Sequence, residues 1–300
     1  MLTPREIIAQ AWTIATTEPQ LKRWGFFGSF FEILLDVKLL VYQMYFLYGY
    51  LYGHATGLFD IEIALYNSVP MWLFLTIVIS FIVLVVVELF VPSFSSGAII
   101  GLAAKAHNKE RMHGGFIMAL YNFFPILAVH EVFVFSSFSI LITGISVILR
   151  YGSGLESVMI VVALLVWIFS NIIKFFSSFT ESGIVVEKLG VFESGAKSVK
   201  LIFSYMPHVM FLTLLLVVIT VRIVINTLII LLVPAAVIGS SLLLTYVFQP
   251  VLSYTIAGFI GLILTMVAAY FFTYLHIFKQ AVWTIMYMEL IKQKDLDKIG

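Results

Sequence analysis

The sequence contains no cysteine and few charged residues. The absence of cysteine from all 300 residues excludes disulfides, thiolate metal sites, iron–sulfur clusters and cysteine nucleophiles. Only 11% of the residues are charged, against roughly 25% in soluble domains. Hydrophobic residues make up 62% of the chain, and the mean hydropathy is +1.09. Such a chain has too little polar surface for water, so it is expected to be an integral membrane protein.

Motifs of catalysis and metal binding are also lacking. The sequence has no glycine-rich phosphate loop and no serine nucleophile elbow. His130-Glu131 lacks the second histidine of a zinc-protease helix. His107 and His113 flank a charged loop that is better interpreted as solvated than as a metal site. The sequence therefore favours a protein without enzymatic activity or cofactor, and its net charge of +1 gives no sign of nucleic-acid binding.

Six apolar stretches are long enough to span a membrane, which requires about 20 residues. They lie near residues 26–52, 70–91, 120–148, 157–178, 208–233 and 252–276. The apolar stretch 208–248 is ambiguous. It forms either two spans, or one span followed after Pro234 by a half-helix that enters the outer face, so that 234–250 is re-entrant.

The distribution of basic residues favours the second interpretation. With six spans, 14 of the 17 Lys and Arg residues fall on one side of the membrane. Basic residues are retained on the cytoplasmic side. Two spans in 208–248 would place the basic C-terminus outside. The sequence therefore predicts six transmembrane helices in the cell membrane, with both termini cytoplasmic.

An internal repeat is also predicted. Thr3-Pro4-Arg5-Glu6 has the form of a capping box with proline at the first helical position, and it opens an amphipathic helix. Residues 193–206 repeat the polar spacing of that helix, and a weaker copy at 112–124 ends at Pro125. The single membrane domain 1–300 is thus expected to contain three units, each an interfacial amphipathic helix followed by a helical hairpin. Their approximate bounds are 1–95, 96–182 and 183–300.

Two short stretches carry a resemblance to a known family. Residues 185–198 read VVEKLGVFESGAKS, and residues 281–290 read AVWTIMYMEL. Both are similar to stretches in the membrane domain of some glycerophosphodiester phosphodiesterases and in the related YciC-like inner-membrane proteins. The resemblance implies a polytopic membrane fold. The 300 residues leave no room for the soluble catalytic domain of the phosphodiesterases, so little activity is implied.

Ionisable side chains inside a bilayer cost about 2.5–3.5 kcal/mol each, and they are functional candidates for that reason. The candidate intramembrane cluster comprises Glu32, Asp36, Lys38, Glu131, Arg222 and Asn226. In one interpretation, Arg222 pairs with Asp36 or Glu32 and locks helices together. In the other, the cluster lines a cavity that binds an anionic head group or passes a solute or proton. Glu88 and Lys174 are interpreted as snorkelling to the membrane surface.

The loop residues Lys105, Lys109 and Arg111 are candidates for contact with anionic lipid. The ordinary excess of basic residues in cytoplasmic loops is the alternative explanation. A stripe of small residues, Ala257, Gly261, Thr265 and Ala269, is expected to pack against another helix of the chain. A shorter stripe of this kind is formed by Ser93, Gly97 and Gly101.

The leading functional hypothesis is a non-enzymatic membrane module that binds lipids, with other membrane proteins as a second class of partner. The rival is a small-solute or proton-coupled transporter that uses the charged residues near the membrane middle. A lipid-modifying enzyme is third, and only Glu88 with His276 hints at it.

Overall fold

The computed structural model describes residues 2–52, 63, 66–151, 154–226 and 228–297, without the side chains at 41, 45, 47–51, 222–231, 233–235, 238 and 295–297. All regular elements of the described ranges are helical. They are α1 (Pro4–Thr17), α2 (Pro19–Leu51), α3 (Met71–His107), α4 (Gly115–Val132), a 3₁₀ turn (Val134–Ser136), α5 (Phe138–Tyr151), α6 (Glu156–Phe176), α7 (Thr180–Glu187), α8 (Val191–Ser204), α9 (Met206–Asn226), α10 (Leu228–Thr245) and α11 (Pro250–Asp297).

Four segments in the described ranges are long and apolar enough to cross a membrane. They are Met71–His107, Gly115–Val132, Glu156–Glu187 and Pro250–Lys294. A fifth is added if α8 and the first part of α9, which meet at 97°, count as one span. α6 buries none of its residues within the protein. Its many exposed apolar side chains need lipid around them.

The two longest helices exceed the thickness of a bilayer. α3 has 37 residues and α11 has 48. At 1.5 Å per residue they are about 55 Å and 70 Å long, whereas the hydrocarbon core is about 30 Å thick. Each helix therefore continues well beyond the hydrocarbon.

The C-terminal parts of these two helices end in a densely packed region. Residues 92–107 of α3 and 275–291 of α11 meet α1, α7 and α8 around one buried core. We call this region the basal bundle. Its fully buried side chains include Ile7, Leu21, Phe179, Phe278 and Tyr287. The N-terminal part of α3 differs, because Ile79, Ile82 and Val83 are each more than half exposed. The molecule thus has one packed end and one lipid-facing end.

α1 begins as the sequence predicts. Thr3 caps the helix, Glu6 completes the capping box, and Pro4 occupies the first helical position. Both the backbone N–H and the hydroxyl of Thr3 donate to the Glu6 carboxylate, at 2.7 and 2.8 Å. Because these bonds favour the ionised form, they lower the pKa of Glu6. Ile7, Ala11 and Ile14 form the buried face of the helix.

Two predicted helices differ from the structure. The span expected over 120–148 is interrupted at residues 133–137, and Pro125 lies inside α4 instead of ending it. The apolar stretch 208–248 is helical on both sides of residue 227, in α9 and α10, and residue 227 lies outside the described residues. The count of six spans and the threefold repeat stay predictions, since four or five spans are recognisable in the described residues.

The buried face of α8 is partly polar. α8 buries Ser194 and Ser198 together with two aliphatic residues, and it exposes Phe192, Val199 and Phe203. Burial of the serines is compensated, because Ser194 donates to the carbonyl of Thr180 at the start of α7 and Ser198 to that of Phe176 at the end of α6. Phe192 is 94% exposed.

The stripes of small residues contact other helices of the same chain, as predicted. A Cβ at Gly261 would lie 2.7 Å from Val237 of α10, and Ala269 packs with Ile33 of α2. A Cβ at Gly97 would lie 3.3 Å from the Ala119 Cα of α4. The glycines therefore bring neighbouring helix backbones close together.

Candidate functional site

The interruption between α4 and α5 is held by side chains of α6. Within a bilayer, backbone groups freed by a helix break need partners inside the protein. Trp167 Nε1 and Asn171 Nδ2 donate to the Ser136 carbonyl oxygen at 3.1 and 3.3 Å. Lys174 Nζ donates to the Ser136 hydroxyl oxygen at 3.0 Å. Positions 167, 171 and 174 lie on one face of α6, so a single helix face stabilises the break.

A buried ion pair joins α2 to α3. Lys38 Nζ lies 2.6 Å from Glu88 Oε2; the Glu88 side chain is fully buried, whereas 22% of the Lys38 side chain is exposed. Lys38 also lies over the Phe81 ring, 4.8 Å from its centroid. The interpretation of Glu88 as a snorkelling residue is wrong, because its carboxylate points into the protein toward Lys38.

The other predicted members of the intramembrane cluster have separate surroundings. Asp36 accepts a hydrogen bond from the Ser139 hydroxyl at 2.6 Å and so joins α2 to the first turn of α5. Glu131 is exposed in the last turn of α4. The side chains of Arg222 and Asn226 lie outside the described residues. The pairing of Arg222 with Asp36 or Glu32 therefore stays a prediction.

Two histidine–glutamate pairs lie where α2, α4, α7 and α11 approach one another. Glu32 Oε2 is 3.9 Å from His276 Nδ1, and His130 Nε2 is 3.7 Å from Glu181 Oε1. Gln280 donates to the other carboxylate oxygen of Glu181 at 3.2 Å. Both histidine distances are longer than a direct hydrogen bond and lie within ion-pair range of a protonated imidazole.

A groove between α2 and α11 combines basic and aromatic side chains. We call it the α2–α11 groove; its volume is about 270 Å³. Lys22 Nζ lies 5.5 Å from the centroid of the Tyr274 ring, and the hydroxyls of Tyr270 and Tyr274 are 3.3 Å apart. Tyrosine is typical of membrane–water interfaces. The groove is lined by Lys22, Arg23, Phe26, Phe27, Tyr270, Thr273 and Tyr274.

A second groove, which we call the α3–α4 groove, has a volume of about 440 Å³. Its basic residues are Lys105 and Lys188, and Lys188 Nζ lies 6.0 Å from the centroid of the Tyr121 ring. Of the predicted lipid contacts, Lys105 lines this groove, whereas Lys109 and Arg111 lie in the adjacent loop. The lining comprises Gly101, Ala104, Lys105, Asn108, Glu110, Ile117, Met118, Tyr121, Asn122, Val185, Val186, Lys188 and Met288.

The two stretches that carry the family resemblance contact each other in the basal bundle. Lys197 forms an ion pair with Glu187 and lies 6.0 Å from the centroid of the Tyr287 ring. A Cβ at Gly183 would lie 2.9 Å from the Tyr287 hydroxyl. Glu289 accepts a hydrogen bond from the Leu2 backbone N–H at 2.9 Å. These residues build the packed end of the molecule.

Comparisons with known proteins add no relative. Neither the family models, nor the curated proteins, nor the solved structures contain a match to this chain. Within the described residues, no group of three or more His, Cys, Asp or Glu side chains is arranged to hold a metal ion. The apolar helices and lipid-facing surfaces define the class, a multi-pass, all-helical membrane protein. Its particular role is inferred from the grooves and charged pairs.

Several site residues were missed by reasoning from the sequence. Trp167 and Asn171 look like ordinary members of an apolar span. Their spacing of four residues, continued by Lys174, was the available signal for a polar face. Glu181 and Tyr270 gave no signal, because their partners come from helices far away in the sequence.

Proposed function

We propose that this protein is a membrane module that binds anionic lipids through the α2–α11 groove and the α3–α4 groove. The observation that carries the proposal is the shared composition of the two grooves. Each combines two basic side chains with tyrosine and an apolar wall. A lipid phosphate suits the basic residues, and its acyl chains suit the apolar wall.

The surfaces beside the grooves support this role. The exposed face of α4, next to the α3–α4 groove, carries Phe116, Ile117, Leu120 and Phe124. α8 meets α9 at 97° and exposes Phe192 and Phe203. A helix that lies across a span and exposes aromatic side chains suits the membrane interface. The resemblance to phosphodiesterase membrane domains is consistent with a membrane module.

Lipid binding by the purified protein tests the proposal. Native mass spectrometry in neutral detergent would compare phosphatidylglycerol with phosphatidylcholine. The double variant Lys105→Ala/Lys188→Ala should weaken phosphatidylglycerol binding at its groove by about 30-fold, since each basic residue contributes about 1 kcal/mol. The variant Lys22→Ala/Arg23→Ala should act similarly on the other groove.

A matched control removes two exposed basic residues outside both grooves, with the variant Arg5→Ala/Lys200→Ala. It should leave groove binding within about threefold of the wild type, because surface charge alone acts weakly. Equal losses in all three double variants would refute specific binding, and so would equal affinity for the two lipids.

We also propose the cell membrane as the location, with the basal bundle and both termini on the cytoplasmic side. The basic grooves would then face the anionic cytoplasmic leaflet. The chain has no native cysteine, so Lys109→Cys provides a single labelling site. An impermeant thiol reagent should modify it only after the cells are opened. Labelling of intact cells would refute this orientation.

The interrupted helix favours a second candidate function, the transport of a small solute or proton. Broken helices beside intramembrane charges are typical of transporter binding sites. Glu32, Asp36 and Lys38 share one helix near the break, because Asp36 contacts the first turn of α5. Uptake into proteoliposomes that Arg222→Ala abolishes without unfolding the protein would favour transport over lipid binding.

A further inference from the structure

A line of polar side chains runs through the contact between α2, α3 and α11 and belongs to neither groove. It consists of Glu32, Lys38, Glu88, Ser95 and His276, and we call it the polar seam. Glu88 and Ser95 are two helical turns apart, so they lie on the same face of α3. On that face Glu88 pairs with Lys38, and the Ser95 hydroxyl donates to a backbone carbonyl of α2.

Gly28 allows the seam to continue from α3 to α11. A Cβ at this position would lie 2.7 Å from Ser95 Oγ and 3.8 Å from His276 Nε2. The serine hydroxyl and the imidazole therefore both lie next to the Gly28 backbone, which has no side chain. The other imidazole nitrogen of His276 faces Glu32. Polar atoms thus follow one another from Glu32 to the neighbourhood of Ser95.

Two side-chain atoms of the seam lack the hydrogen bonds that burial requires. In the part of the chain that the structure describes, Glu88 Oε1 and His276 Nε2 are buried and have no hydrogen-bond partner. Pro92 lies inside α3, and it offers no N–H to the carbonyl four residues earlier, which is that of Glu88. A buried polar atom without a hydrogen-bond partner lowers the free energy of unfolding by at least as much as a hydrogen bond would raise it. Such atoms are ordinarily satisfied by buried water.

We propose that the polar seam is hydrated and carries protons between the aqueous phase at the basal bundle and the buried Lys38–Glu88 pair. A proton that enters at Glu32 passes to His276 and then, through water beside Ser95, to the Glu88 carboxylate. Glu88 becomes a neutral carboxylic acid, and the reverse transfer returns the same proton.

Four titratable or charged groups interact with His276 from the elements packed around it. Glu32 acts on it from α2, His130 from α4, Glu181 from α7 and Lys279 from its own helix. The inference does not depend on lipid binding by the grooves, because none of the five seam residues lines a groove.

Infrared difference spectroscopy on the purified protein in liposomes tests the seam. The Glu88 carboxyl band is identified by its loss in Glu88→Gln. In the wild type, this band should respond to bulk pH and shift promptly when D₂O replaces H₂O. Ser95→Val should slow that shift about tenfold, the effect of raising the barrier by about 1.4 kcal/mol through one lost hydrogen bond.

Ser93→Val is the matched control. Ser93 is as deeply buried on α3 as Ser95, but two residues place it on a different face of the helix. This variant should exchange at the wild-type rate. His276→Phe gives a second, independent block and should slow exchange as Ser95→Val does. Equal exchange in the two serine variants would overturn the proposal. A Glu88 band that ignores bulk pH in the wild type would also overturn it.

Discussion

Trp167 and Asn171 of α6 donate hydrogen bonds to the break between α4 and α5, and removing these donors should destabilise the protein. The number of donors that the Ser136 carbonyl keeps determines the size of the loss. Trp167→Phe removes the indole N–H, and Asn171→Leu removes the amide donor. Each single variant leaves the Ser136 carbonyl with one donor and should cost about 1 kcal/mol. The double variant leaves this buried carbonyl without either side-chain donor. It should cost about 3 kcal/mol, more than the two single losses together.

Two measurements check this expectation. Unfolding in mixed micelles gives the free-energy change of each variant. Amide hydrogen exchange followed by mass spectrometry reports on residues 133–137, which should exchange faster in the double variant than in the wild type. Trp72→Phe is the matched control, because Trp72 is 69% exposed near the start of α3. It should cost less than about 0.5 kcal/mol, as surface changes usually do.

A double variant no less stable than Trp72→Phe, with unchanged exchange at 133–137, would refute the reasoning. It would mean that α6 does not hold the interruption. If the stability losses of the two single variants simply add, Trp167 and Asn171 do not share the Ser136 carbonyl as their partner.

Three further predictions concern the buried contacts. Lys38→Met or Glu88→Leu alone should lower the free energy of unfolding by about 3–5 kcal/mol, because each leaves the other charge buried and unpaired. The double variant should have a free energy of unfolding close to that of the wild type. A double-mutant cycle measures this, and additive costs would contradict it. Gly183→Ala should destabilise the basal bundle by about 1–3 kcal/mol, because its Cβ would overlap a serine hydroxyl of α8. Gly195→Ala, inside α8 with open space around its Cβ, should not destabilise it, and thermal unfolding compares the two. Thr3→Ala should lower the free energy of unfolding by about 1 kcal/mol and speed amide hydrogen exchange in α1 alone. Unchanged exchange in α1 would count against the capping box.

Reasoning from the sequence predicted the parts of the fold that depend on local chemistry. The N-terminus of α1 follows from the capping residues Thr3 and Glu6, whose partners are only three residues apart. The helix-packing role of Gly97 and Gly261 follows from the lack of a side chain. Both depend on features that are visible within a few residues.

The interruption after α4 could not be predicted in the same way. Residues 133–137 are apolar or small, and nothing among them forbids a helix. The break is stable because Trp167 and Asn171 approach from a different helix, and that approach is a property of the folded chain. Pro125, which looks like a helix end, lies within α4 as a tolerated proline.

For the charged residues too, local features could be predicted from the sequence, whereas contacts between distant residues could not. The sequence identified Glu32, Asp36 and Lys38 as costly inside a membrane, since that cost depends on residue type and span alone. It could not assign their partners. Glu88 was interpreted as an end-of-span residue, yet it is the partner of Lys38. The pair formed by Glu32 and His276 could not be predicted either, because the two residues are far apart in the sequence.

The length of α11 has a mechanical consequence. No break interrupts this helix between Pro250 and Asp297, so it behaves as a stiff rod. Its tilt is expected to follow the thickness of the surrounding bilayer. Near the C-terminal end of α11, Glu289 accepts a hydrogen bond from the Leu2 backbone N–H. A change in membrane thickness that tilts α11 would therefore also move α1.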